Sequence, residues 1–334
     1  MYNGKKILIT GGTGTIGYHL TKQLLQYNPS VIRIFSRDEY KQFNMSREFG
    51  PYTDRMRFLI GDVRDEQRLL RALEGIDYVF HLAAMKHVPF CEYNPFEAVK
   101  TNVIGTQNII QAAIASGVKK VLFASSDKAI SPTNTYGATK LTAERLITAA
   151  EYQKGPKSTI FSSVRFGNVM GSRGSVIPLF KEQILTKRSV TVTDMGMKRY
   201  MMTPSQAISL MLKANELAKG GEVFVLKMPV VQLSDLADVM IEEIANRYNI
   251  IEPIHIEEIG LRPGEKMYEE LMTHDEECIA LETSDMYILP SIFTKRQDTY
   301  PGVLDVKNPV STVFNVTVID KNLLWKWINE EKLI

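Results

Sequence analysis

The chain has 334 residues, enough for one large α/β domain or two intimate ones with an ample core. Hydrophobic residues make up 44% and charged residues 23%, and 40 Lys and Arg against 38 Asp and Glu leave a net charge of +2 with no long basic run, so nucleic acid is not an implied partner. Cys91 and Cys278 belong to no CxxC or His/Cys cluster, which excludes a disulfide framework and a metal site, and the absence of a leader pattern or a run of about 18 apolar residues points to a reduced, cytoplasmic enzyme with no membrane partner.

The first half alternates short β-branched runs with helical patterns. Strands are expected at Lys6–Thr10, Val31–Ser36, Met56–Ile60, Tyr78–Leu82, Lys120–Ala124 and Thr159–Phe166. Helices are expected at Thr15–Tyr27, Glu39–Phe49, Phe96–Ser116 and Tyr136–Ala150. This alternation predicts an α/β fold, a doubly wound parallel sheet with helices on both faces. Beyond about residue 170 the pattern loosens, with helices at Pro204–Ala218 and Leu233–Tyr248 between longer loops. The expected organisation is a dinucleotide-binding domain over 1–170, a smaller substrate-binding part over 171–290 and a tail over 291–334. The tail ends in an amphipathic stretch, Lys321–Lys332, read as a helix docked on the body or an oligomer contact.

Gly11-Gly12-Thr13-Gly14-Thr15-Ile16-Gly17 follows the first strand and opens a helix. In a GxxGxxG reading Gly11 permits the tight turn, Gly14 lets the backbone approach a pyrophosphate, and Gly17 allows close helix–strand packing. The helix N-terminus then offers free N–H groups to the phosphates. At the end of the second strand stands Ser36-Arg37-Asp38-Glu39, with Lys41 close by. Ser36, Arg37 and Lys41 suit a 2′-phosphate and so NADP, unless the two cations are solvated and paired with Asp38 or Glu39. Asp62 and Val63 follow the third strand, at the adenine edge. Ala83, Ala84, Met85 and Lys86 follow the fourth, where small residues let backbone pass close to the ribose and nicotinamide.

The window 125–140 carries the chemistry. Tyr136 and Lys140 share one helical face at i, i+4. Such a pair suits hydride chemistry at a carbinol: Lys140 holds the ribose and lowers the Tyr136 pKa, so a phenolate takes the hydroxyl proton. Ser126 can hydrogen-bond the reacting oxygen. Asp127 and Lys128, at a strand end, suit removal of water beside that carbon. A C4 or C5 epimerase needs Tyr136 and Lys140 but has no evident use for Asp127 plus Lys128.

These residues resemble the extended short-chain dehydrogenase/reductases and, within them, the soluble UDP-N-acetylglucosamine 4,6-dehydratases that invert C5. The likeness rests on Thr10–Gly17, Ser36–Glu39, Gly61–Asp65, Ala84–Pro89, Ser126–Ala129, Tyr136–Lys140, Arg165–Val169, Gly171–Val176 and Arg262–Lys266. It implies that Tyr136 removes the C4 hydroxyl proton while tightly bound NADP takes the C4 hydride, that Lys128 removes the C5 proton, and that Asp127 protonates the departing C6 hydroxyl. The hydride returns to C6, and reprotonation at C5 from the opposite face gives an L-arabino 4-keto-6-deoxy sugar. Lys128 must then be partly neutral, as a desolvated, cation-rich pocket allows, and the Asp127 carboxyl should sit above its usual range. Retaining hexose dehydratases place Asp-Glu where this chain has Asp127-Lys128, and larger membrane-anchored relatives often carry Met in place of Tyr136.

For a UDP-sugar substrate the same resemblance assigns Arg199 and Arg262 to the diphosphate, with Lys86 adding charge. Asn168 serves the diphosphate or the sugar, and Glu265 a ribose hydroxyl. Ser175, Val176, Leu179 and Thr191 lie in segments that resemble those near the nucleotide, and Met85 with Lys86 shapes the C5/C6 side. Asp194–Tyr200 and the tail after Ser291 depart from the pattern. Relatives of this kind are often dimers or hexamers, which implies a homo-oligomer.

Overall fold

The computed structural model describes residues 1–291, 293, 299–304 and 317–334. Six parallel strands form the frame: β1 (Lys6–Thr10), β2 (Val31–Ser36), β3 (Met56–Ile60), β4 (Tyr78–His81), β5 (Lys120–Ala124) and β6 (Ile160–Arg165). They lie in the order β6-β5-β4-β1-β2-β3, and Val223–Leu226 then continues the sheet in parallel beyond β6. Met286–Leu289, antiparallel, and Leu281–Glu282 close that edge. The register is in line across the centre, with Ile9 opposite Ile34 on β2 and opposite Phe80 on β4. All four residues of β4 are buried, as expected of a central strand covered on both faces.

The strand order reverses between β1 and β4, and the crevice at their carboxyl ends is where an open α/β sheet binds ligands. The helices covering the two faces are α1 (Thr15–Leu25), α2 (Glu39–Glu48), α3 (Glu66–Leu73), the short α4 (Val88–Tyr93) and α5 (Pro95–Ala98), α6 (Gly105–Ser116) and α7 (Thr135–Gln153). One core face gathers Leu20 and Leu24 of α1 with Met211 of the helix Pro204–Leu217. The other gathers Leu69 of α3, Ile109 of α6 and Ile147 of α7.

The expected strands and helices of this half are present to within a few residues at each end. The long helix over Phe96–Ser116 differs, because Val99–Ile104 is a π-helical turn between α5 and α6. Two short helices, α3 and α4, stand where the pattern gives no helix. α3 is fixed by Asp65, whose side chain caps it by accepting from the Arg68 N–H at 2.9 Å.

A third core follows residue 169. It packs Ile177 and Ile184 of α8 (Val176–Lys187) against Leu236, Met240 and Ile244 of the helix Leu233–Tyr248. Leu324, Trp327 and Ile328 of the terminal helix Lys321–Glu330 join it, so the amphipathic C-terminal stretch docks on the body. Of the tail over 291–334, residues 292, 294–298 and 305–316 lie outside the described residues. Two small sheets surround this core: Ser189–Val192 pairs with His255–Glu258, and Lys198–Met202 runs between Val230–Gln232 and Asn168–Val169. Among the described residues no helix is long and apolar enough to cross a membrane.

Candidate active site

The glycine loop joins β1 to α1 at the switch point. Gly11 has φ +66°, and a Cβ there would lie 2.9 Å from the Ala83 backbone, so the loops after β1 and β4 abut. A Cβ on Gly17 would meet the Gly12 backbone at 2.5 Å, the close packing expected of the third glycine. The N-cap of α1, Gly14, has no side-chain cap, so the first N–H groups stay available to an anion. Thr13, Gly14 and Thr15 line a cavity of 280 Å³ with Lys41 and Arg173. A dinucleotide pyrophosphate fits such a cradle. Ile16 instead faces the larger cavity described below.

Behind the loop, His81 is fully buried between two hydroxyls, with Nδ1 2.7 Å from Thr10 Oγ1 and Nε2 3.0 Å from Thr106 Oγ1. Burial, with Lys140 adding repulsion, pushes its pKa down to about 3, so it is neutral. Thr10 Oγ1 also accepts from the Leu82 and Ala83 N–H groups, which fixes the loop carrying Ala83 and Ala84.

The residues expected at a 2′-phosphate are at or just past the end of β2, each engaged with a neighbouring side chain. Lys41 Nζ pairs with Asp38 at 2.6 Å, and Arg37 lies 3.8 Å from Asp62. Ser36 Oγ accepts from Gln42 Nε2 at 3.0 Å. Both ion pairs are exposed, so each is weak enough to yield to a phosphate. Val63 is buried, and its carbonyl accepts from Asn108 on α6. Arg173, which the sequence reading left without a role, reaches over the glycine loop. Its guanidinium donates to the Thr13 carbonyl and its N–H to Thr15 Oγ1 at 3.1 Å.

The window 125–140 contributes Ser126, Asp127, Lys128 and Tyr136 to the lining of a 390 Å³ cavity. Asp127–Ala129 is a 3₁₀ turn at the end of β5, and α7 begins at Thr135. The turn and the helix touch closely: a Cβ on Gly137 would lie 2.1 Å from the Lys128 carbonyl oxygen. Asp127 Oδ1 accepts from Ser126 Oγ at 2.9 Å, from the Lys128 N–H at 2.9 Å and from Lys128 Nζ at 3.1 Å. Lys128 Nζ also lies 3.6 Å from Glu269, another residue the sequence reading left out. Burial disfavours the Lys128 ammonium, but Asp127 and Glu269 outweigh it and hold the pKa above the ordinary lysine value. The lowering of the Lys128 pKa expected from a desolvated, cation-rich pocket is thus corrected: burial and Arg199 lower it, but the neighbouring carboxyls together with Tyr136 carry the balance upward.

Tyr136 differs too. Burial raises its pKa, against a hydrogen bond with Ser126 and the charge of Lys128, so the lowering expected from Lys140 is not the prevailing effect here. Lys140 Nζ donates to the Ala124 carbonyl and sits 4.0 Å above the Phe123 ring. Burial brings its pKa down to about 7, with Glu144 opposing. Glu144 is itself held by buried Arg165, which also binds Glu276 and so ties α7 to the 271–276 segment.

Of the expected substrate residues, Lys86, Asn168, Ser175, Val176, Leu179, Thr191, Arg199, Arg262 and Glu265 all line the same cavity. Met85 is not among its lining residues; its backbone is clamped by Asn102, which donates to its carbonyl at 2.9 Å and accepts from its N–H at 2.8 Å. Asn102 lies in the π turn, a feature that recurs at functional sites and that no apolar period reveals. Arg199 donates to the Lys198, Lys266 and Met267 carbonyls and lies 3.4 Å from Glu265. It therefore tethers the 262–267 segment, and Glu265 is engaged with Arg199 and the Arg262 N–H. That segment closes on the catalytic turn, since the Gly264 carbonyl accepts from Thr133 and Asn134, and Lys266 donates to the Ile130 carbonyl. At the N-terminus of α8, the buried Ser175 hydroxyl has no partner among the described residues, and neither has that of Ser125. Both are polar atoms that a ligand in the cavity would satisfy.

A family model described as polysaccharide biosynthesis protein matches residues 7–291. The chain is 48% identical, over 99% of its length and 95% of the relative, to an uncharacterized membrane protein of Methanocaldococcus jannaschii. It is 44% identical, over 87% of its length and 85% of the relative, to a UDP-N-acetylglucosamine 4,6-dehydratase (inverting) of Campylobacter jejuni. It is 40% identical, over 87% and 84%, to a UDP-glucose 4-epimerase of Rickettsia prowazekii. Among solved structures, Pen from Bacillus thuringiensis superposes with TM-score 0.91 at 56% identity, covering 100% of this chain and 99% of that one. A dTDP-glucose 4,6-dehydratase from Streptomyces venezuelae with NAD and TYD bound has TM-score 0.71 at 22% identity, over 81% and 89%, a likeness of fold. The chain therefore belongs to the polysaccharide biosynthesis protein family of extended short-chain dehydrogenase/reductases, whose named relatives here are nucleotide-sugar 4,6-dehydratases and epimerases.

Proposed function

We propose that the protein is a C5-inverting UDP-N-acetylglucosamine 4,6-dehydratase that retains NADP through turnover and acts as a homo-oligomer in surface-glycan biosynthesis. The observation that carries this reading is the Asp127–Lys128 pair in one cavity with Tyr136. The likeness to the Campylobacter jejuni dehydratase supports it.

A nicotinamide cofactor held at the glycine loop by Thr13, Gly14 and Thr15 with Lys41 and Arg173 would supply reversible hydride chemistry at C4 and C6. The chain does the rest. Tyr136, hydrogen-bonded to Ser126, takes the C4 hydroxyl proton. The 4-ketone acidifies C5, and Lys128 removes the C5 proton while Asp127 protonates the leaving hydroxyl. Arg37 and Lys41 are the cations that favour a 2′-phosphate. The diphosphate is read at the N-terminus of α8, where Ser175 adds a hydroxyl with no partner among the described residues and Lys86 lies close by, 3.4 Å from Ser172 Oγ. Inversion at C5 is expected to give UDP-2-acetamido-2,6-dideoxy-β-L-arabino-hex-4-ulose.

The 40% identity to a 4-epimerase favours a second reading, in which Tyr136 and Lys140 act alone. One incubation separates the two. The purified protein is mixed with UDP-N-acetylglucosamine without added cofactor, and mass and proton spectra are followed. Loss of about 18 mass units, the one water a dehydratase must release, with a new C6 methyl signal is the expected result. Unchanged mass with a C4-epimer anomeric signal would overturn the dehydratase reading.

A further inference from the structure

Glu269 is a buried carboxyl that the mechanism above does not use. Its side chain is 4% exposed, it lines the catalytic cavity, and among the described residues its carboxyl forms one ion pair, to Lys128 Nζ at 3.6 Å, and no hydrogen bond. Asp127 is its opposite. That carboxylate accepts from the Ser126 hydroxyl, the Lys128 N–H and the Lys128 ammonium. Two carboxyls thus flank one amine in unlike surroundings, one held by three donors and the other by a single ion pair.

Resting on the dehydratase reading, we propose that Glu269 is a positioning residue that acts in its neutral acid form, leaving Lys128 opposed by a single carboxylate so that Lys128 can pass its proton to Asp127. In that step a Lys128 N–H bond breaks and an Asp127 O–H bond forms. A carboxylate and an ammonium become a carboxylic acid and an amine, with no change in net charge. One transfer thereby makes both groups the dehydration needs, a neutral base for C5 and an acid for the C6 hydroxyl. A sugar filling the cavity and displacing water favours this uncharged form of the pair. When Glu269 ionises, two carboxylates hold the ammonium and the transfer is opposed.

The groups that face Glu269 agree with its neutral form. Burial raises its pKa, with Lys128, Arg199 and Lys266 lowering it and Asp127 raising it, and the balance is upward. The Arg199 guanidinium is turned toward the Lys198, Lys266 and Met267 carbonyls and Glu265, and the Lys266 amine toward the Ile130 carbonyl. Around Lys128 the other charged or titratable neighbours are Tyr136, Arg199 and Lys86.

The test compares wild type, Glu269→Gln and Glu269→Asp in kcat and KM for the dehydration, across roughly pH 5.5 to 8.5. Glutamine keeps the shape of a neutral acid at every pH. The expected result is that kcat of the wild type falls toward high pH and that Glu269→Gln loses this limb. The ratio of its kcat to that of wild type should then rise roughly tenfold per pH unit above the wild-type inflection, at little changed KM. Glu269→Asp should keep a limb, shifted in pH. A glutamine variant that binds cofactor normally but is inactive at every pH while aspartate is active would overturn the proposal, since an ionised carboxylate would then be required. A limb that persists unchanged in Glu269→Gln would overturn it as well. A wild type that releases no water refutes the dehydratase reading itself, a result distinct from either of these.

Discussion

Gly137→Ala tests whether the catalytic turn and the catalytic helix work as one rigid unit. Gly137 has an ordinary helical backbone, so its need for glycine is purely steric. The added methyl would lie 2.1 Å from the Lys128 carbonyl oxygen and 3.0 Å from Pro132 Cβ. A carbon and a carbonyl oxygen in contact need about 3.3 Å, so α7 and the 127–129 turn must separate by about 1 Å. Tyr136 and Lys140 ride on one side of that contact and Asp127 and Lys128 on the other. A misplacement of about 1 Å costs on the order of 10²-fold in rate, and overpacking of this kind destabilises by about 1–3 kcal/mol. Steady-state kinetics with UDP-N-acetylglucosamine should show kcat lowered about 10²-fold. A parallel thermal melt should shift down by a few degrees. A kcat within about twofold of wild type with an unshifted melt would refute the reasoning.

Two further outcomes follow from the electrostatics. His81 has a folded pKa of about 3 against an ordinary value of 6.5, so the unfolded chain binds the extra proton between them. Stability from this site is complete above pH 6.5 and is lost as pH falls toward 3. Denaturant unfolding at about pH 6.5 and 5 should show wild type losing about 2 kcal/mol more than His81→Gln over that interval, and equal losses would show that the ring is not neutral in the fold. Replacing Arg37 and Lys41 together by Ala should weaken NADP relative to NAD by roughly 10- to 100-fold in a fluorescence titration, at about 1.5–3 kcal/mol for hydrogen bonds to a charged group, and an unchanged ratio would remove both from cofactor choice.

The legible part of the sequence was the part with a period or a short-range spacing. Alternating β-branched runs gave the parallel sheet, and the glycine loop is where a strand–turn–helix motif puts it. Spacing also placed Asp127, Lys128 and Tyr136 in one cavity. Residues that act across the chain carry no such signal. Glu269 is 141 positions from Lys128 and meets it only because the 262–267 segment is tied to Thr133, Asn134 and Ile130. Arg173 reads as one more surface cation until the loop that bears it lies over Thr13 and Thr15. Arg199 shows the converse: its type suggested a phosphate clamp, but its partners are backbone carbonyls, which no residue pattern discloses. Asn102 is hidden for another reason, because a π turn moves it off the face that a 3.6-residue period would assign.

The two lysines of the catalytic window show why the dehydratase reading is stronger than the epimerase reading on physical grounds. Lys140 lies against an aromatic ring, and the carboxylate in range, Glu144, is already engaged by Arg165, so burial prevails and the amine falls to about 7. Lys128, in the same cavity wall as Tyr136, is held in the opposite sense by the Asp127 carboxylate, with the Glu269 carboxyl on its other side. Proton and hydride chemistry at a single carbinol is served by the first environment alone. The second is a mostly buried group of two acids and a base, and such groups are seldom explained by stability: replacing a buried ion pair with well-packed apolar residues is often neutral or stabilising by about 1–4 kcal/mol. A group with no clear benefit to the fold, opening on the cavity that holds Tyr136, is best accounted for by a second proton-transfer task, and removal of water next to the carbonyl carbon is the task that needs both an acid and a base.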